Sequence, residues 1–296
     1  MNKFIKTYIG FLKKFLRPQK SLRVVFDSSN GTTGPILKRL MTNNPQLTTY
    51  LINDKPNGNF PGHGPNPMLK GATKQLQVAV KQNKADLGII FDADGDRVFV
   101  CDDQGRLVHP DIIAYLLVYY LKPKKMVINT PTGWLVRSLK RQGVKIYETP
   151  VGYFYVTRAM RKTGATFAAE HSAHYFFKNF FYRDAGILTA ISVINAASKL
   201  PYCLSDFVDL VPQSYRSWEI NFIVKNKERL LKIIEGKYKK EAKKISRLDG
   251  LKMDFDKWWL SIRPSQNEPL LRLNIEAETE EVLMRKLRAI RETISA

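Results

Sequence analysis

Asp92, Asp94 and Asp96 stand at alternate positions, separated by Ala93 and Gly95 and followed at once by Arg97. Apolar runs flank them, Leu87 to Phe91 before and Val98 to Cys101 after. The pattern predicts strand, tight turn, strand. On a bent backbone, carboxylates at i, i+2 and i+4 can converge on one point, where they repel unless a cation sits among them. Hard divalent cations such as Mg²⁺ take oxygen ligands, use few protein carboxylates and often share the site with a phosphate. Arg97 is placed to hold the phosphate side of such a site. The plain alternative is an acidic β-turn with no ion, since Asp and Gly are ordinary turn residues. A Ca²⁺ EF-hand fits less well, because no acidic residue closes a twelve-residue loop and no helix leads in.

Two later segments carry further chemistry. In Phe167 to Phe177, Glu170, Ser172 and His174 alternate, so an extended backbone would set them on one face. A carboxylate, a hydroxyl and an imidazole together can grip sugar hydroxyls; a solvated polar strand at a sheet edge is the alternative. The loop Arg263 to Pro269 offers the Arg263 guanidinium, the Ser265 hydroxyl, the Asn267 amide and backbone N–H groups, with Arg272 nearby. That set suits an oxyanion.

The elements that must position these groups alternate between strand and helix patterns. Met1 to Arg17 reads as a basic amphipathic helix ended by Pro18, expected to pack on the domain that follows. Strand Leu22 to Phe26, the loop Asp27 to Gly34 and a helix from Pro35 form an α/β unit without a P-loop or dinucleotide fingerprint. Asn57 to Pro67 is a Pro/Gly-rich loop in which His63 reads as structural. Pro123 marks a junction before a second α/β unit. From about Val211 the chain turns lysine-rich, with a helix expected over 228–245 and a terminal helix over 280–294. These patterns divide the chain into domains 1–121, 122–211 and 212–296.

Composition narrows the function classes. The 296 residues carry a net charge of +21 and a mean hydropathy of −0.28, which are values of a globular chain. No apolar run is long enough to cross a bilayer. The two cysteines, Cys101 and Cys203, lack metal-ligand spacing and fit a reduced, cytoplasmic compartment. The lysines are spread along the chain and no nucleic-acid-binding motif accompanies them, so the charge reads as a solvated basic surface that favours anionic substrates.

In this order the three segments resemble the motifs of the α-D-phosphohexomutase family, which includes phosphomannomutase and phosphoglucomutase. Asp92 to Arg97 resembles its metal loop, Glu170 to His174 its sugar-recognition loop, and Arg263 to Pro269 its phosphate-binding loop. The resemblance implies tandem α/β mixed-sheet domains followed by a C-terminal α+β domain of the TATA-binding-protein type. It implies interconversion of hexose 1- and 6-phosphates, with Mg²⁺ on Asp92, Asp94 and Asp96 and a catalytic Arg97. Glu170, Ser172 and His174 would hold the sugar, and Arg263, Ser265 and Asn267 the phosphate that does not react. Hexose 1,6-bisphosphate would be the intermediate and activator. The family's phosphorylated serine, in a Ser-His-Asn-Pro context, has no counterpart in this sequence, which starts at what resembles the linker into the second domain. The expectation is a mutase that takes its phosphoserine domain in trans; the alternative is a non-catalytic sugar-phosphate binder or decayed mutase. Thr130 and Tyr153 stand where some members place a lysine and a histidine, and a phenol is a poor base at neutral pH.

Overall fold

The computed structural model describes residues 3–42, 44–265 and 268–295. Short β-branched and aromatic runs form the centres of two sheets. In the first, strands β1 (Leu22–Asp27), β2 (Leu47–Ile52), β3 (Leu87–Phe91), β4 (Val98–Asp102) and β5 (Leu107–Val108) lie in the order β2-β1-β3-β4-β5. The first three are parallel; β4 and β5 return antiparallel. Every residue of β3 and β4 is buried, the β4 terminus Asp102 included, as strands covered on both faces should be. The second sheet comprises β6 (Lys125–Asn129), β7 (Lys145–Thr149), β8 (Phe167–Ala169), β9 (Tyr175–Phe177) and β10 (Arg183–Asp184). Its order is β7-β6-β8-β9-β10, with the same sequence of parallel and antiparallel pairings. The two units are therefore one topology used twice, without a repeat at a fixed short period in the sequence.

Helices complete the layers: α1 (Lys3–Lys13), α2 (Gly34–Met41), α3 (Lys74–Gln82), α4 (Pro110–Leu121), α5 (Trp134–Ser138), α6 (Tyr153–Thr163), α7 (Gly186–Lys199) and α8 (Leu204–Leu210). From Gly186 to Ser198 every residue of α7 is buried, because it packs between α4 and the first sheet. One apolar core runs through both units by way of α4 and α7. α1 lies against α2, and its exit is tied to α7: Arg17 N–H donates to Asn195 Oδ1 at 2.9 Å, and Asn195 Nδ2 donates to Phe15 O at 2.7 Å. Among the described residues, no single helix is long and apolar enough to cross a membrane.

The third unit is an antiparallel sheet with its own core. Its strands are β11 (Tyr215–Arg216), β12 (Ile220–Ile223), β13 (Lys244–Ser246), β14 (Leu251–Asp254), β15 (Trp258–Pro264) and β16 (Leu270–Ala277), flanked by α9 (Lys227–Tyr238) and α10 (Glu280–Ser295). The chain is thus α/β, with mixed sheets and a C-terminal α+β domain. Two local expectations change. The helix expected over 228–245 ends at Tyr238, and Lys244–Ser246 pairs with β14 as an edge strand. The segment Glu170 to His174 is not extended; it is the turn between β8 and β9, with Ala173 left-handed at φ 68°.

Replacing Asn195 with Leu should unpair the Arg17 N–H and the Phe15 carbonyl and cost about 2 kcal/mol. A urea titration measures it; a loss within about 0.3 kcal/mol would mean that α1 is not held through this residue.

Candidate active site

The acidic hairpin between β3 and β4 is held by the two loops that precede it. Ser29 Oγ donates to Phe91 O at 2.5 Å, Thr32 N–H to Ala93 O at 2.8 Å and Thr32 Oγ1 to Asp94 O at 3.1 Å. Ala93 N–H donates to Pro65 O at 3.1 Å, from the Pro/Gly-rich loop. That loop is anchored in turn by His63, whose Nε2 lies 3.0 Å from the buried Asp27 carboxylate. Gly31 and Gly186 admit the hairpin's backbone: a Cβ on Gly31 would stand 2.2 Å from Ala93 O, and one on Gly186 2.1 Å from Gly95 O. The hairpin's shape is therefore imposed from outside.

Within it, carboxylate oxygens of Asp92, Asp94 and Asp96 lie within 4.8 Å of one another. Asp92 is buried, and accepts from Gly95 N–H, Arg97 N–H and Arg97 Nε at 3.2, 3.1 and 2.5 Å. Burial, with the Asp96 charge adding to it, pushes Asp92 up to about 6 in spite of Arg97. Such a cluster fits a divalent cation, which would relieve the repulsion that burial makes costly.

The turn Glu170 to His174 occupies the equivalent hairpin of the second sheet, and the two hairpins touch. Val98 N–H donates to Ala173 O at 3.0 Å, and Arg97 and His174 form a β-bridge. His174 Nε2 lies 3.4 Å from Asp96, and its Nδ1 lies 2.9 Å from Ser172 Oγ and 3.5 Å from Glu170. Burial opposes a charged imidazole, yet the hydrogen bond to Asp96 and the Glu170 charge outweigh it and hold His174 above the usual histidine value. Asp96 is correspondingly lowered: burial works against its charge, but His174 and Arg97 prevail. Asp184, from β10, stands beside both, and burial raises it. Glu170 is buried, with Oε1 accepting from Asn129 Nδ2 at 3.3 Å and Gly152 N–H at 3.1 Å.

The third domain brings Arg263 and Arg272, cross-strand partners on β15 and β16. Glu219 lies between them: its Oε2 accepts from Arg263 at 3.1 Å and from His171 Nε2 at 3.3 Å, and its Oε1 accepts from Arg272 at 2.8 Å. Burial would raise the Glu219 carboxyl, but His171 and the two guanidinium groups hold it down at about 2. Ser265 is buried, with its hydroxyl 3.5 Å from Glu268 and its carbonyl accepting from Lys227 Nζ at 2.6 Å. Asn267 lies outside the described residues.

A polar seam seats this domain on the others. Glu276 Oε2 accepts from Trp134 N–H at 2.8 Å and Trp259 Nε1 at 2.6 Å, while Arg216 bridges Glu276 and Asp111 at 2.8 and 3.3 Å. Lys252 donates to Thr130 O at 2.9 Å, and burial lowers its ammonium to about 7. The structure thus brings Asp92, Asp94, Asp96, Arg97, Glu170, Ser172 and His174 into one cluster and links it to Arg263 through His171 and Glu219. Asn129, Asp184, Glu219 and His171 went unselected in the sequence. The one available signal was Glu219, a lone acid in the basic stretch that opens the third domain.

A carboxylate hairpin, a polar turn packed against it and an arginine pair, on two mixed-sheet α/β units and an α+β unit, define the class of fold and site. Family models place the chain within it. Residues 4–105 match phosphoglucomutase/phosphomannomutase alpha/beta/alpha domain II, residues 109–215 match domain III, and residues 219–293 match the C-terminal domain. The chain belongs to the phosphoglucomutase/phosphomannomutase family. It is 32% identical to a phosphomannomutase of Methanocaldococcus jannaschii over 291 residues, covering 96% of this chain and 64% of the relative. It is 31% identical to a Vibrio cholerae phosphomannomutase, covering 94% of this chain and 63% of the relative. The chain therefore spans somewhat under two thirds of these relatives' length. A Burkholderia thailandensis family protein shares the fold at TM-score 0.86 and 22% identity, with 98% of this chain and 63% of that one aligned. An Aspergillus fumigatus N-acetylphosphoglucosamine mutase, solved with GlcNAc-6P and magnesium, aligns at TM-score 0.67 and 14% identity over 98% of this chain and 65% of that one.

The depressed Glu219 carboxyl makes an acid-stability prediction. Its folded value, about 2, lies below the ordinary 4.5, so its stabilisation is complete above pH 4.5 and is lost as pH falls through about 2. The chain should lose about 2 kcal/mol more stability between pH 5.5 and pH 3 than Glu219→Gln does. Denaturant melts at the two pH values measure this, and equal losses would contradict it.

Proposed function

We propose that this chain supplies the metal, sugar and distal-phosphate sites of a phosphohexomutase interconverting hexose 1- and 6-phosphates. The observation that carries the reading is the contact between the two hairpins, which sets the carboxylates of Asp92, Asp94 and Asp96 beside Glu170, Ser172 and His174. No Ser-His-Asn-Pro sequence occurs in these 296 residues, so the proposal takes the phosphoryl-carrying serine from outside the three domains described.

The aspartates would hold Mg²⁺. That ion would supply charge neutralisation to a transferring phosphoryl group. Arg97 has its Nε engaged by Asp92, which fixes the plane of the guanidinium, and its Nη1 donates only to the weak acceptor Met68 Sδ at 3.8 Å, so the outer N–H groups can turn to a phosphate oxygen. Glu170 Oε1 already accepts from Gly152 and Asn129, so a sugar hydroxyl would meet Oε2, which faces His174 Nδ1 at 3.5 Å. Ser172 can donate to or accept from the neighbouring hydroxyl. Arg263, Ser265 and Asn267 would clamp the phosphate that is not reacting, so that a sugar with phosphates at both ends can bind in either direction.

The second reading is a binder that does not turn over. It is favoured by Tyr153, which is exposed at the start of α6 with Arg183 stacked 5.1 Å from its ring centre and offers no good base.

One assay separates the two. The chain is mixed with Mg²⁺, glucose or mannose 1-phosphate and catalytic 1,6-bisphosphate, with or without an added phosphoserine domain. The mutase reading expects 6-phosphate to form when the domain is present, with Asp94→Asn lowering the rate at least about 100-fold. Binding without turnover under both conditions selects the second reading.

Mg²⁺ should bind the chain alone weakly. Three carboxylates, one of them already engaged by Arg97, leave the remaining coordination positions to water. Calorimetry should give a dissociation constant well above micromolar, and tighter binding would show that the site is complete without a phosphoserine.

A further inference from the structure

We propose that His171 and Glu219 form a relay that couples the sugar turn to the arginine pair, so that a ligand bearing both hydroxyls and phosphate is recognised as one unit. The inference rests on the functional reading of the two loops given above, and it assigns positioning roles to two residues outside their motif positions.

The relay can be followed atom by atom. Asn129, at the end of β6, has its Oδ1 accepting from Thr132 Oγ1 at 2.9 Å and from His171 N–H at 3.4 Å. That identifies the oxygen end of the amide, so Nδ2 is the donor. It donates to Glu170 Oε1 at 3.3 Å and faces His171 Nδ1 at 3.1 Å. His171 Nδ1 therefore carries the lone pair and Nε2 carries the proton. Nε2–H then donates to Glu219 Oε2 at 3.3 Å, and Glu219 grips one N–H of Arg263 and one of Arg272. An unbroken run of hydrogen bonds thus leads from the sugar-turn carboxylate to the guanidinium pair. It crosses from the second domain to the third between His171 and Glu219.

Physical need explains Glu219. Arg263 and Arg272 sit directly opposite on neighbouring strands, and like charges in that position repel. Glu219 lies just before β12, which pairs with β16 beside Arg272, so a short link places its carboxylate against both. Each carboxylate oxygen takes one guanidinium, which orients both forks. Among the described residues, the buried Nε atoms of Arg263 and Arg272 have no hydrogen-bond partner. Arg272 Nη2 also donates to Glu268 at 2.7 Å, so an anion that meets the pair would share or displace these carboxylates. The side chains of His171 and Glu219 are 8% and 7% exposed, so water cannot easily substitute for either link. Pulling Glu170 toward a sugar hydroxyl moves Asn129 and His171, and hence the carboxylate that aims the arginines. By thermodynamic reciprocity, phosphate on the arginines tightens the sugar turn equally.

The test is a double-mutant cycle on the full chain, with α-D-glucose 1-phosphate and inorganic phosphate as separate probes read by calorimetry. His171→Ala and Glu219→Gln should each weaken glucose 1-phosphate about 10-fold, and the double variant should be no weaker than the worse single one. His171→Ala should leave inorganic phosphate within about 2-fold, because the arginines stay paired with Glu219. His171→Gln, whose amide can donate where Nε2–H did, should restore most of the loss. Nitrogen NMR of the His171 ring should show a neutral Nε2–H tautomer without any ligand. Losses that multiply to about 100-fold in the double variant overturn the coupling, as does equal weakening of both probes by His171→Ala. An Nδ1–H tautomer or a charged ring overturns the relay itself. Binding of neither probe by the unaltered chain overturns the functional reading, an outcome distinct from all of these.

Discussion

The hydrogen bond from Val98 N–H to Ala173 O, 3.0 Å long, joins two hairpins that belong to different sheets. Everything proposed for the site depends on that junction. It sets Asp96 against His174 and brings Asp184 alongside. It also requires a close fit, because Gly186 meets the carbonyl of Gly95 and Ala173 must adopt a left-handed backbone. Backbone contacts of this kind leave no room for a side chain at Gly31 or Gly186. The cost of crowding carboxylates is met locally. Burial raises Asp92, while Asp96 stays charged by pairing with His174.

The third domain is joined by different physics. Its apolar core is separate, and its seam with the other two is built from Asp111, Arg216, Glu276, Lys252 and backbone groups. Buried charges of this sort do little for net stability against an apolar alternative, yet each becomes costly if its partner is removed. They specify one docking arrangement. That arrangement brings Glu219 and its arginines to His171 on the turn between β8 and β9.

Charge is distributed to match. The chain as a whole is strongly basic, at +21, while the hairpin cluster concentrates Asp92, Asp94, Asp96, Glu170 and Asp184 around Arg97 and His174. A positive surface attracts an anionic ligand over a distance, and the local acids favour a cation at short range.

Much of this was legible in the chain itself. The apolar runs around Asp92 to Arg97 marked the hairpin, because unbroken buried strands leave that pattern. The terminal helix was likewise visible from its periodicity. The residue types of all three motifs, with their order, were enough to name a family. The turn at Glu170 to His174 was misread as extended, because alternation in five residues does not distinguish a strand from a hairpin whose φ turns positive at Ala173. Lys244–Ser246 was absorbed into a helix, since lysine-rich stretches carry little periodicity. The duplicated topology left no fixed-period trace, for strand order is set by pairing and not by composition. The sequence by itself thus determined the donor groups, because those depend on residue type and local spacing. Only the tertiary structure decided which of them meet: His171 and Glu219, 48 residues apart, touch because two domains dock, and docking is fixed by contacts that no local pattern encodes.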